Sequence, residues 1–123
     1  MSGEIKVWRS KIAPTTRGAI FRAKRWFYAT FFSKAPEDKR EASKRNWTQL
    51  ARKLVEETNK EGVSDKGGRV IIYYKDEDGV FTPIRAEVEV YVLEPIKTIT
   101  VPFTEGSETS ENISEVEAEI EEE

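Results

Sequence analysis

GAIFRAKRWFYATFFSK, residues Gly18 to Lys34, interleaves six aromatic rings with four cations and contains no acid. Whether this stretch is helix or strand decides the fold. As a strand it would split its rings evenly, with Phe21, Phe27 and Phe31 on one side and Trp26, Tyr28 and Phe32 on the other. As a helix, at about 100° per residue, it gathers Ile20, Phe21, Phe27, Tyr28, Phe31 and Phe32 into an arc of roughly 140° and leaves only Trp26 outside. The clustering predicts a helix. Arg17 and Lys24 fall inside the arc and Arg25 lies at its edge, so part of the arc borders a cleft where the charged ends reach water.

The signals on either side agree. Pro14 interrupts the chain, and Thr15 or Thr16 is placed to cap a helix beginning near Arg17. Before it, Glu4 to Lys11 alternates as a strand, with Ile5, Val7 and Arg9 opposite Lys6, Trp8 and Ser10. After it, Pro36-Glu37-Asp38 is a helix start, with proline in the first turn and acids at the positive end of the dipole. This second helix is expected to run to about Lys60, with Trp47, Leu50, Ala51, Leu54 and Val55 as its apolar stripe and Gly62 at its end.

The remainder reads as sheet. RVIIYYK (Arg69–Lys75) and Val80–Leu93 flank the turn Asp76-Glu77-Asp78-Gly79, and Ile84, Ala86, Val88, Val90 and Val92 share one face of the return strand. Pro83 belongs at an edge or a bulge. Glu94-Pro95 is expected to turn the chain into a last short strand through Ile99, Val101 and Phe103. The expected fold is α+β: a four-stranded antiparallel sheet with two main helices on one face, forming one domain over residues 1–103. Residues 104–123 form an acidic tail that cannot bury enough apolar surface to order itself and that either solubilises the chain or lies over the basic cleft or a protein partner. Within it Ile113, Val116 and Ile120 make a fragment of a helical seam.

Charge is distributed in blocks. Residues 1–60 carry fifteen basic and six acidic side chains, whereas residues 104–123 carry nine acids and no base. Ile5 to Pro36 alone holds eight cations and seven rings without an acid. The chain has no Cys and no His, which removes disulfides, thiolate chemistry and the commonest metal ligand and general base. No enzymatic activity, metal or cofactor is therefore expected. Glu87 and Glu89, two apart on one strand face, lack a visible third ligand. The N-terminus has no apolar signal core, which sets the expectation of a cytoplasmic protein. The Lys/Glu-rich composition fits an organism of hot environments.

Rings beside unneutralised cations suit a polyanion with flat bases, and rings favour single strands over a duplex. The expected contact residues are Arg17, Phe21, Arg22, Lys24, Arg25, Trp26, Tyr28 and Phe32, with Arg9, Lys11 and Lys34 on the flanking segments. Arg45 and Arg52, a heptad apart on the second helix, add phosphate contacts. Trp26 is either a packing contact or an exposed platform, and Trp8 shares that ambiguity. Tyr73, Tyr74 and Tyr91 offer either sheet-borne stacking or cross-strand packing; the glycine-aromatic signature of RNA-recognition sheets is missing. A second reading makes the aromatic arc an interface of an oligomeric subunit.

A basic-aromatic segment containing IFRAKRWFYATFF, a long helix, a hairpin and a charged extension together resemble the ThermoDBP group, archaeal single-stranded DNA-binding proteins outside the OB-fold class. The resemblance covers about Glu4 to Phe103. It implies sequence-tolerant binding of single strands in a cleft between helices and sheet, within a homo-oligomer, a dimer or tetramer. The matching positions are Arg22, Lys24, Arg25, Trp26 and Tyr28. Longer members of the group carry a C-terminal zipper; here only Ile113, Val116 and Ile120 stand among glutamates, which points to assembly through the domain itself.

Overall fold

Thr15 begins the first helix by accepting the Gly18 N–H on its hydroxyl at 2.9 Å, so of the two candidate threonines Thr15 is the cap. In the computed structural model, which describes residues 3–104, strand β1 (Lys6–Arg9) precedes helix α1 (Thr16–Phe27). A π-helical turn (Tyr28–Phe32) continues α1, and helix α2 spans Glu37–Lys60. Strands β2 (Gly67–Glu77) and β3 (Val80–Tyr91) complete the fold. The sheet is antiparallel throughout, in the order β1-β2-β3.

The α+β class and both helices are as the sequence implies, but among the described residues the sheet has three strands, not four. Val92–Phe103 has no regular structure, and Ile96, Ile99, Val101 and Phe103 are 74 to 101% exposed. The expected reversal at Glu94-Pro95 does not return the segment to the sheet. Alternation of Ile99, Val101 and Phe103 allows a strand, but a strand also needs a partner for its backbone, and no described strand pairs with this segment. The acidic tail and its helical seam lie outside the described residues.

The core forms where α1 and α2 press on the inner sheet face. Thr16, Ala19, Ile20, Ala23 and Phe27 make the buried flank of α1, and Phe31 extends it through the π turn. Phe27 stacks on Trp47 of α2 with centroids 5.2 Å apart and meets Phe81 of β3 edge-on at 5.3 Å. Val70, Ile72 and Tyr74 of β2 floor the cluster. The start of α1 lies so close to β2 that a Cβ on Gly68 would meet Thr16 Oγ1 at 2.6 Å, which accounts for a glycine there. Thr16 also donates its hydroxyl to the Lys66 carbonyl at 2.9 Å, fixing α1 to the loop before β2.

On α2 the buried line is Ser43, Trp47, Leu54 and Thr58. Val55, expected in the stripe, is 40% exposed because it lies to one side of that line. The hairpin turn is Asp78-Gly79, both with positive φ (59° and 87°), as a two-residue type I′ turn requires. A bulge breaks the β2–β3 register: Tyr73 faces Arg85 and Tyr74 faces Pro83, leaving Ile84 as the extra residue. Pro83 thus sits at a bulge on an edge strand as expected. Ile84 is 44% exposed, as Val90 is at 45%, and with Ala86, Val88 and Val90 it borders the space between β3 and α2. Among the described residues, no helix is long and apolar enough to cross a membrane.

Candidate nucleic-acid interface

The arc anticipated on α1 divides into two flanks. Ile20, Phe27 and Phe31 turn inward, while Arg17, Phe21, Lys24 and Arg25 are exposed and Tyr28 and Phe32 are half-buried. Arg17, Phe21, Lys24 and Tyr28 follow one another at spacings of four, three and four residues, a single stripe along the helix. Phe21 is 59% exposed. No acid lies on α1 or the π turn.

The π turn carries the stripe onto α2. It is closed by the Ser33 N–H donating to the Tyr28 carbonyl at 2.9 Å, five residues back. The chain then turns through Ser33–Pro36 into α2, setting Phe32 against the first turns of that helix. Tyr28 meets Phe32 edge-on at 4.9 Å. The Arg40 guanidinium carbon lies 5.4 Å from the Phe32 centroid and the Lys44 ammonium 6.0 Å from it, both within cation–π range. Arg40 Nε is buried with no hydrogen-bond partner among the described residues. None of Arg17, Lys24, Arg25, Arg40 and Lys44 forms an ion pair among the described residues.

Sequence reasoning did not single out Arg40 and Lys44. Their signal is position: they precede Trp47 by seven and three residues, which places them beside the buried line of α2. Arg45 and Arg52, the expected contacts, are exposed on the side of α2 away from Trp47 and are not brought to Phe32. Lys11 and Lys34 are exposed in the segments before and after α1.

Trp26 resolves as a packing contact. It stacks on Trp8 at 4.9 Å and 14°, and meets Tyr74 edge-on at 5.1 Å. One ring face is covered by Trp8, so the pair ties α1 to β1. Arg22, four residues before Trp26, lies on that flank and not on the Phe21 stripe.

Arg9 projects from the sheet face opposite the helices, where strand partners engage one another. Arg69 bonds Glu89 at 2.7 Å, and Tyr91 donates its hydroxyl to the same Glu89 oxygen at 2.6 Å. The Tyr91 hydrogen bond, then Arg69, with Arg9 adding its charge, hold the Glu89 carboxyl below its ordinary pKa. Arg85 lies 3.8 Å over the Tyr73 ring, and Tyr73 donates to Glu87 at 3.2 Å. Tyr73 serves cross-strand packing, while Tyr91 bonds Glu89 of its own strand. Glu87 and Glu89 answer to neighbouring cations and hydroxyls, and among the described residues no group of three or more acids is arranged to hold a metal ion.

A groove of about 730 Å³ runs between α2 and β3. Leu50, Leu54, Pro83, Ala86 and Val88 contribute to its apolar lining, and none of the expected nucleic-acid contacts lies in it. No protein-family model, curated protein or solved structure matches the chain.

Proposed function

We propose that this protein binds single-stranded nucleic acid without sequence preference and without catalysing a reaction on it. The interface is the ridge of Arg17, Phe21, Lys24, Arg25, Tyr28 and Phe32, extended by Arg40 and Lys44. The resemblance favours DNA as the strand. One observation carries the reading: Phe21 stands 59% exposed between cations that have no acidic partner among the described residues. Water gains nothing from that ring, whereas a base stacked on such a ring is worth about 1–3 kcal/mol. Cations that the described residues leave unpaired are free to meet phosphates, and counterions are released when a strand binds.

The test is fluorescence anisotropy of a labelled oligothymidylate titrated with the protein, repeated with increasing salt and with RNA and duplex competitors. Binding at low salt is expected, and log affinity should fall with log salt by roughly 0.7 for each phosphate engaged on a single strand. A duplex should compete poorly. Absence of binding at low salt would falsify the proposal.

A further inference from the structure

The free edge of β3 is closed at one point and open beyond it. At Phe81 the backbone N–H donates to Ser43 Oγ and the carbonyl accepts from Asn46 Nδ2, both at 2.8 Å, so α2 takes the place of a neighbouring strand. From Ile84 to Val90 no edge group has a hydrogen-bond partner among the described residues outside the β2–β3 ladder. The groove between α2 and β3 adjoins this open edge, and Val90 is 45% exposed. Open edges of this kind are templates for another strand.

The same chain carries a segment fitted to that edge and making no use of it. In Val92–Phe103, Ile96 is 95% exposed, Ile99 74%, Val101 78% and Phe103 101%. Ile99, Val101 and Phe103 alternate, so as a strand they share one face with Lys97. Ile96–Phe103 would extend about 26 Å as a strand, against about 23 Å for Ile84–Val90.

We infer that Ile96–Phe103 of one molecule adds as a fourth strand to β3 of a second copy and fills the α2–β3 groove, each copy giving its arm to the other. The start of the arm favours exchange over refolding onto its own groove. Leu93 packs so tightly on Gly67 that a Cβ there would come 2.8 Å from Leu93 Cγ. This contact holds the chain beside the first residue of β2, and neither Leu93 nor Gly67 lines the groove. Run antiparallel to β3, the arm brings Lys97 to the end of the groove where Glu57 and Glu61 stand. The amides of Ile99, Val101 and Phe103 then face β3, and Pro102, which has no N–H, falls on the outer edge. There it blocks further strand addition and closes the assembly as a two-fold dimer.

The inference is independent of the nucleic-acid proposal, because neither the arm nor the groove contributes to the ridge. Its test is the mass of the full chain by light scattering beside that of an Ile99→Asp/Val101→Asp variant, with circular dichroism confirming that both are folded. The native chain should have a dimer's mass and the variant half of it. Because the chain lacks Cys, single Ala86→Cys and Val101→Cys variants mixed and oxidised should also form a covalent heterodimer. A monomeric native chain, a dimer unchanged by the arm substitutions, or hydrogen-exchange protection of the arm in a monomer would each overturn the inference.

Discussion

Phe27 and Phe21 lie six residues apart on one helix, and their surroundings are opposite. Phe27 is fully buried between Trp47 and Phe81, while Phe21 is 59% exposed between Lys24, Arg25 and Arg17. Residue type does not separate the two flanks of α1. What separates them is what the rest of the chain lays across each: β2, β3 and α2 cover one flank, and none of the described residues covers Phe21 on the other. A ring on the first flank is accounted for by folding, and a ring on the second is what the proposed function assigns to a partner.

The largest expected effect is on the buried flank. Phe27→Ala removes the ring that joins α1, α2 and β3 and leaves a cavity, so stability should fall by about 3–5 kcal/mol, read from the urea midpoint at unchanged slope. A loss under about 1 kcal/mol would place the centre of the core elsewhere. Phe21→Ala should do the converse. Its stability should stay within about 0.5 kcal/mol of the native chain, while oligonucleotide affinity weakens by about 1–3 kcal/mol. An affinity unmoved by Phe21→Ala would remove the exposed flank from the interface and break the comparison.

The local parts of this architecture were legible in the sequence. Period gathered Ile20, Phe27 and Phe31 into one arc with Phe21, Tyr28 and Phe32, Thr15 or Thr16 marked the helix start, Asp76-Glu77-Asp78-Gly79 the hairpin turn, and Pro83 an edge or a bulge. Each of these signals acts within a few residues of itself. Features that depend on what arrives from far along the chain were not legible. Trp26 has the same sequence context whether or not Trp8 stacks on it. Arg40 and Lys44 read as part of a solvated face until the π turn sets Phe32 beside them. Ile99, Val101 and Phe103 have the alternation of a strand, but alternation does not say whether an edge is within reach.

The smallest expected effect falls on two neighbours in α2 that stand on opposite sides of the comparison. Lys39 is engaged by the fold: its ammonium donates to Asp78 Oδ2 and to the Asp78 carbonyl, both at 2.7 Å, clasping the hairpin tip to α2. Arg40 instead lies over Phe32. The hydrogen bond from Lys39, then its charge, hold the Asp78 carboxyl below its ordinary pKa. A carboxylate depressed in the folded state contributes stability above its unfolded value, near 3.9, and loses that contribution as pH falls through the lower folded value. Asp78→Asn keeps a residue that tolerates the positive φ of the turn and removes the charge. The native chain should therefore be slightly more stable than Asp78→Asn at neutral pH, and the difference should vanish as the acid range is crossed. Because Asp78 is 95% exposed, the difference will be small and will shrink in salt. Oligonucleotide affinity should not change in this variant, whereas Arg40→Gln should weaken it and reduce its salt dependence. Equal losses of affinity in both variants would mean that the clasp and the ridge are one site, and that the line between the cations of the fold and those of the interface has been drawn in the wrong place.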